Sequence, residues 1–147
     1  MAQESQESLA LEEKIEEHKA FLRHFQRLMG PEWLEHAGGV ATIDRQLIMI
    51  DALVITARAQ LRRNYNAETL TTFLLAIFTA VRDDRVTTNP GVLAVEAEYL
   101  RQGGSGLNER HSVVLFTTGN FYEHISGRGL ASAYRESGPL IRFLMHS

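Results

Sequence analysis

The run IDRQLIMIDALVITARAQL, at residues 43–61, constrains the fold more than any other stretch of this chain. Its apolar residues recur at alternating steps of four and three, which is the repeat of one helical face. These residues are Ile43, Leu47, Ile50, Val54, Ala57 and Leu61. Further apolar residues, including Met49 and Leu53, lie on other faces of the same helix. We therefore expect a central helix that other elements surround on most sides.

Composition narrows the class of protein. The chain has 147 residues, of which 44% are hydrophobic and 22% charged, and this suits a single domain at residues 1–147. Folding at this length buries roughly 68% of the unfolded surface. Cysteine is absent, which excludes disulfides and thiolate metal sites and leads us to expect a cytoplasmic protein. The polar, acidic first residues do not resemble a secretory signal.

The positions of the charges disfavour two classes of partner. A membrane-spanning helix needs about 20 apolar residues with few charges, whereas Asp44, Asp51 and Arg58 interrupt the central helix. Residues 1–36 hold eight acidic and four basic side chains (net −4), and residues 37–147 hold ten and eleven (net +1). Neither part resembles a surface that binds a polyanion. We expect no membrane span and no nucleic-acid partner.

An acidic amphipathic helix is predicted at residues 5–29, ahead of a core bundle at residues 40–147. Its apolar face repeats every three or four residues and is a candidate interface: Leu11, Ile15, His18, Leu22, Phe25 and Met29. Gly30 and Pro31 are expected to end it. Two interpretations stay open, because this face either packs on its own domain or pairs with a second copy in a short coiled coil. In the second case, protonation of His18 would weaken the assembly.

Two further helices are predicted from caps and periodicity. Asn66 precedes the clearest amphipathic pattern in the chain. The apolar positions of that pattern are Leu70, Phe73, Leu74, Ile77, Phe78 and Val81. Asn89 and Pro90 start the next helix, which should run from Gly91 to Gln102. The residues expected to be buried in it are Val92, Leu93, Val95, Tyr99 and Leu100.

Residues 108–126 are compatible with two conformations. Their β-branched and aromatic content, with Gly119 and Asn120, is typical of a β-hairpin at residues 112–125. A helix is favoured, because no other segment offers a partner strand and an isolated hairpin is marginally stable in water. Short helices are also expected at residues 130–136 and 140–145. The predicted fold is all-α, a compact bundle of about five to seven helices.

One stripe of the predicted helix at residues 108–126 carries polar groups from successive turns. His111, Thr118 and Tyr122 would line a small pocket with an imidazole, a hydroxyl and a phenol. The alternative is that these groups are hydrogen-bonded polar atoms within a helix interface. Both interpretations stay open.

The charged stripe of the central helix also has two interpretations. It includes Asp44, Asp51 and Arg58 and is expected to face water and form surface ion pairs. The alternative is that Asp51 faces a functional cleft.

Motifs whose spacing enforces a catalytic geometry are missing from the sequence. It contains no glycine-rich phosphate loop, no H-E-x-x-H zinc pair, no G-x-S-x-G and no EF-hand series. Three Glu-His dipeptides occur, but neighbouring residues of a helix point about 100° apart and do not share a metal. We expect no catalytic residue, no cofactor and no metal.

Three short segments carry a resemblance: Leu61 to Asn66 ahead of a helix, Asn120-Phe-Tyr-Glu123, and the pair Gly129 and Arg135. Across residues 59–135, the chain resembles uncharacterised small helical proteins of bacteria that have a membrane-anchoring helix at their amino end. The charges of the central helix depart from that pattern, so no anchor is carried over. The resemblance implies no activity.

The expected function is that of a non-catalytic helical module for protein–protein interaction, acting as an adaptor, accessory or regulatory subunit. Its partner would be another protein or a second copy of itself, and we expect an oligomer. The alternative is a small-molecule sensor or an enzyme with a pocket lined by His111, Thr118 and Tyr122.

Overall fold

A computed structural model describes residues 2–36, 43–86, 88–104 and 110–128, with side chains for residues 9–28, 43–86, 88–104 and 113–128. Over these ranges the chain forms five α-helices and no strand. They are α1 (Ala2–His36), α2 (Ile43–Leu61), α3 (Ala67–Arg82), α4 (Pro90–Arg101) and α5 (Arg110–Ser126). The all-α prediction is confirmed, and α5 replaces the alternative hairpin. The short helices predicted at residues 130–136 and 140–145 lie outside the described residues.

The central position predicted for residues 43–61 is confirmed. Helix α2 has the predicted bounds and contacts each of the other four helices. Met49, Ile50 and Leu53 are completely buried along it, because neighbours cover more than one of its faces. A short 3-10 turn, Arg62–Asn64, then leads into α3.

The most extensive helix contact in the described structure joins α3 to α5. Helix α3 begins with a reciprocal cap, in which the Asn66 side chain accepts from the Thr69 amide and the Thr69 hydroxyl accepts from the Asn66 amide, each at 3.0 Å. The buried residues of α3 are all apolar: Leu70, Leu74, Ile77, Phe78, Ala80 and Val81. Val113, Val114 and Phe121 of α5 are completely buried in the same core.

Helix α4 begins as predicted, and Val92, Val95 and Tyr99 are completely buried as expected. The Asn89 side chain accepts from the Val92 amide at 3.0 Å and caps the helix. Leu93 and Leu100, predicted to be buried, are exposed, whereas Glu98 is buried and accepts from Arg101 Nε at 2.8 Å. Periodicity shows which residues share a face but not how far round the helix its neighbours reach. The prediction for the two leucines is therefore wrong.

The carboxyl end of α4 closes tightly on its own last turn. Gly103 has a φ of +95°, a conformation that glycine adopts at helix ends without steric penalty. The Gly104 amide then donates to the Tyr99 carbonyl at 2.8 Å. A Cβ atom at Gly104 would lie 2.4 Å from the ring of Tyr99, which is completely buried. Only glycine fits this close approach.

One predicted helix boundary is wrong. The first helix was expected to span residues 5–29, but α1 continues through Gly30 and Pro31 to His36. Proline removes one backbone hydrogen bond and crowds the preceding turn, while the hydrogen-bond ladder on either side of it can persist. A glycine-proline pair is therefore a common place for a helix to end, but it does not force that end.

Candidate functional site

Helix α1 packs on α2 and α5 through the apolar face predicted from the sequence. Leu11, Ile15 and Leu22 are buried, and Phe25 is half-buried against the same core. The side chain of Met29 lies outside the described residues. From Leu11 to Leu22 the predicted interface thus lies against the same chain, as the first of its two interpretations expects. Pairing of this face with a second copy would require α1 to detach.

His18 is the polar residue in the middle of this contact. It is 4% exposed, and its ring stacks on Phe121 with centroids 5.5 Å apart and planes at 17°. Within the described part of the chain, its buried Nδ1 atom has no hydrogen-bond partner. Burial, reinforced by the nearby imidazole of His124, lowers the pKa of His18 from 6.5 to about 4. The contact therefore requires neutral His18.

A second imidazole and a carboxylate lie beside His18. The ring centroid of His124 is 4.9 Å from that of His18, and its Nε2 atom is 3.7 Å from Glu17 Oε1. Glu17 is exposed, so this pair is at the edge of the contact. We therefore expect the contact between α1 and α5 to weaken at acidic pH, because protonation of His18 would place a charge among buried apolar side chains.

Polar contacts flank the buried face of α1 on both sides. On the α2 side, Lys19 pairs with Asp51, and Arg58 pairs with Glu12. On the α5 side, the Lys14 ammonium lies 3.5 Å from the Ile125 carbonyl oxygen, to which it donates. The Lys19 pair gives Asp51 the role of a surface ion-pair partner, which was the first of its two interpretations. These contacts fix the register of α1 on the bundle.

The structure describes only part of the predicted pocket. The side chain of His111 lies outside the described residues. Thr118 is completely buried, and its Oγ1 atom has no hydrogen-bond partner among the described residues. Tyr122, one turn further along α5, is half-buried and packs against the core. The pocket therefore stays a prediction. The described helices bury Thr118 completely.

The exposed side of α1 was not among the candidate sites predicted from the sequence. We define the outer face by ten exposed residues: Leu9, Glu13, Glu16, Glu17, Ala20, Phe21, Arg23, His24, Arg27 and Leu28. Ala10, Lys14 and Gln26 of the same helix are also exposed. Phe21 is 57% exposed and Leu28 is 70% exposed. The Phe21 ring lies 6.2 Å from that of Phe25. The spacing of Phe21, Phe25 and Leu28, four and then three residues, is the signal that would have revealed a second apolar stripe.

Among the described residues, no three histidine or acidic side chains converge so as to hold a metal ion. None of the described helices combines the length and apolarity needed to cross a bilayer. Comparison of the chain with protein-family models, with curated proteins and with solved structures gave no match.

Proposed function

We propose that this chain is a non-catalytic module for protein–protein interaction and that the outer face of α1 binds its partner. The exposure of Phe21 and Leu28 supports this proposal most directly. The two residues are seven positions apart, so they lie on one side of the helix, and Phe25 extends the apolar surface between them. Clustered apolar side chains on a surface mark interaction sites more often than isolated ones do.

The setting of these side chains also suits a binding surface. The opposite side of α1 is held on the bundle by Leu11, Ile15 and Leu22, which gives the outer face a firm support. Arg23 and Arg27 of the same helix are also exposed. Aromatic and arginine side chains are enriched in protein interfaces, where a few of them contribute most of the binding energy.

Replacement of Phe21 and Leu28 tests the proposal. The variant Phe21→Ser/Leu28→Ser should reduce partner binding at least tenfold, because each truncation removes about 1–2 kcal/mol of apolar contact. The matched control is Leu93→Ser/Leu100→Ser, which removes two exposed apolar residues at the same spacing from α4. Quantitative cross-linking and affinity purification with the three proteins measure the effect, and circular dichroism checks that each is folded.

Equal partner binding by the unmodified chain, the α1 variant and the α4 control would contradict the assignment of the outer face as the binding surface. So would a loss confined to the α4 control, since that result would place the interface on α4. Binding that is lost only in the α1 variant supports the module and its surface together.

A thermal-shift screen separates this function from that of a small-molecule sensor or enzyme. A compound present at 100 times its dissociation constant should stabilise the folded chain by ~2.7 kcal/mol. An interaction module should show no such shift with a library of metabolites. A reproducible shift that His111→Ala abolishes would favour the pocket and contradict the proposal.

We also place this module in a reducing compartment, the cytoplasm. The sequence has no cysteine, so neither its fold nor its interactions use a disulfide. Fluorescence microscopy of the tagged chain measures its location, and an exclusively extracytoplasmic signal would contradict this assignment.

A further inference from the structure

The ionisable residues of the outer face are arranged symmetrically about Ala20. Three acidic residues precede it, and two arginines and a histidine follow it at the same distances along the chain. Glu13 and Arg27 are each seven positions from Ala20, Glu16 and His24 are each four, and Glu17 and Arg23 are each three. Positions three, four and seven residues away lie on the same side of a helix as the starting residue. All seven residues are exposed, so one surface has an acidic half and a basic half.

We propose that the outer face binds a second copy of itself, with the two α1 helices antiparallel and a two-fold axis beside Ala20. This inference rests on the proposed function and names its partner. In that arrangement a residue before Ala20 in one copy lies at the level of the residue equally far after Ala20 in the other. Glu13 meets Arg27 across the axis, Glu16 meets Arg23 at one edge of the contact, and Glu17 meets His24 at the other edge. The symmetry repeats each contact. A parallel arrangement would place like charges opposite each other.

The remaining residues of the outer face suit the same arrangement. Ala20 is small, so the two helices can approach closely at the axis. Phe21 follows Ala20 directly. The two-fold axis brings the Phe21 side chains of both copies to the same edge of the contact, where each can cover the other. The buried residues His18 and Leu22 lie on the opposite side of α1, so the two bundles point away from each other.

Contacts within the chain leave the acidic half available. Glu16 lies 3.8 Å from Lys19, and Glu17 lies 3.7 Å from His124. Their side chains are 64% and 72% exposed, so each retains accessible carboxylate surface for a second cation. Within the part of the chain that is described, neither Arg23 nor Arg27 has an ion-pair partner. Over the residues that the structure describes, both arginines are therefore available to a carboxylate of a second copy.

Charge reversal with rescue tests the dimer. Glu13→Arg/Glu16→Arg/Glu17→Arg makes the outer face basic throughout, and Arg23→Glu/His24→Glu/Arg27→Glu makes it acidic throughout. Each variant alone should dissociate at least ten times more readily than the unmodified chain, whereas an equimolar mixture should form a heterodimer. Sedimentation velocity over a concentration series up to about 1 mM, the range of weak association, measures both effects. The rescue also shows that both variants are folded.

The control variant reverses charges away from the outer face. Arg62→Glu/Arg63→Glu alters two exposed arginines on the turn after α2 and should leave the dimer unchanged. Added salt should weaken the dimer of the unmodified chain, because the Debye length falls from about 8 Å at physiological ionic strength to about 3 Å at 1 M. A monomeric unmodified chain over the whole series, or a mixture of the two reversed variants that stays monomeric, overturns the proposal.

Introduced cysteines test the antiparallel direction, and the natural chain has none to interfere. A disulfide needs Cα atoms about 4.4–6.8 Å apart, so Ala20→Cys beside the axis should cross-link with itself under mild oxidation. Glu13→Cys should not, because the two copies of residue 13 lie about 21 Å apart along an antiparallel pair. A mixture of Glu13→Cys and Arg27→Cys should cross-link. Cross-linking of Glu13→Cys with itself would show a parallel pair and would falsify the arrangement.

The outcomes for the dimer and for the interaction module are distinguishable. A monomeric chain that binds a different protein through Phe21 and Leu28 disproves self-association and leaves the proposed function intact. A monomeric chain whose binding is insensitive to both the apolar and the charged substitutions disproves both.

Discussion

Helices α1 and α3 are both amphipathic, but the faces that they bury differ in chemistry. Helix α3 buries only hydrocarbon, from Leu70 to Val81, against the centre of the bundle. Helix α1 buries Leu11, Ile15 and Leu22 together with the imidazole of His18, whose Nδ1 atom has no hydrogen-bond partner among the described residues, and ion pairs flank its contact. Apolar burial does not depend on the protonation of a side chain, whereas a neutral buried imidazole responds to pH and surface ion pairs are screened by salt. We therefore expect the attachment of α1 to depend on pH and ionic strength more than the contacts of α3 do.

The largest expected effect compares the same substitution in the two regions. Leu74→Ala should lower the free energy of unfolding by about 4 kcal/mol, because Leu74 is completely buried and the cavity cannot collapse. Leu22→Ala should cost about 2 kcal/mol, since α1 covers only one side of the bundle and can shift to fill the space. Urea unfolding of both variants measures the difference. Equal losses would show that α1 belongs to the core.

The next effect is the dependence of the attachment of α1 on pH. The pKa of His18 is about 4 in the folded chain and 6.5 when unfolded, so the unfolded chain binds more protons between these values. This contribution is fully present above pH 6.5 and is lost as the pH falls towards 4, by about 3 kcal/mol in all. Urea unfolding at pH 7, 5.5 and 4.5 follows it. Hydrogen exchange should show the α1 amides opening first.

The control for the pH effect separates His18 from the other titrating groups. His18→Leu should remove this part of the pH dependence, while His24→Leu, on the exposed side of the same helix, should keep it. If His18→Leu retains the full slope between pH 6.5 and 4, the imidazole is not its source.

A smaller effect concerns the packing of Gly104 against Tyr99 at the carboxyl end of α4. Gly104→Ala should destabilise the chain by about 1–3 kcal/mol, because its Cβ would lie 2.4 Å from the buried Tyr99 ring. Gly103→Ala has open space around it and should show only the cost of its positive φ, about 1 kcal/mol. Thermal unfolding of the two variants compares overpacking with backbone strain. A larger loss of stability for Gly103→Ala than for Gly104→Ala would contradict this explanation.

The smallest effect concerns the ion pair between Lys19 and Asp51. Lys19→Met and Asp51→Asn should each cost about 0.5 kcal/mol, because Asp51 is half-exposed and water screens the pair. A double-mutant cycle isolates the coupling between them, which should fall below about 1 kcal/mol. A coupling of several kcal/mol would mean that the charges hold α1 more firmly than its apolar contacts do.

Much of the fold follows from short-range patterns. The bounds of α2, the caps at Asn66 and Asn89, and the apolar face of α3 were all predicted correctly. The composition of α5 is typical of a β-hairpin, and the helix was predicted correctly only because no other segment offered a partner strand. The end of α1 was not predicted, because the penalty at Gly30 and Pro31 is local and the whole helix determines whether it is tolerated.

Only part of the candidate site was predicted from the sequence. The stripe that contains His18 was predicted, and a pH effect was expected only for a self-associated α1, but His124 and Phe121 were not predicted as neighbours of His18. Glu98 was not expected to be buried, nor Leu93 and Leu100 to be exposed. Each of these depends on how far a neighbouring helix covers a given face, which periodicity does not contain.

By itself, the sequence determined where the helices lie and which residues share a face, because the helical repeat is set by residues three and four positions apart. The tertiary structure decided which face of each helix is covered and by what. His18 meets Phe121 and His124, from the far end of the chain, only once α1 and α5 are packed together. The same packing leaves Phe21 and Leu28 in water. Such contacts depend on the arrangement of all five described helices at once.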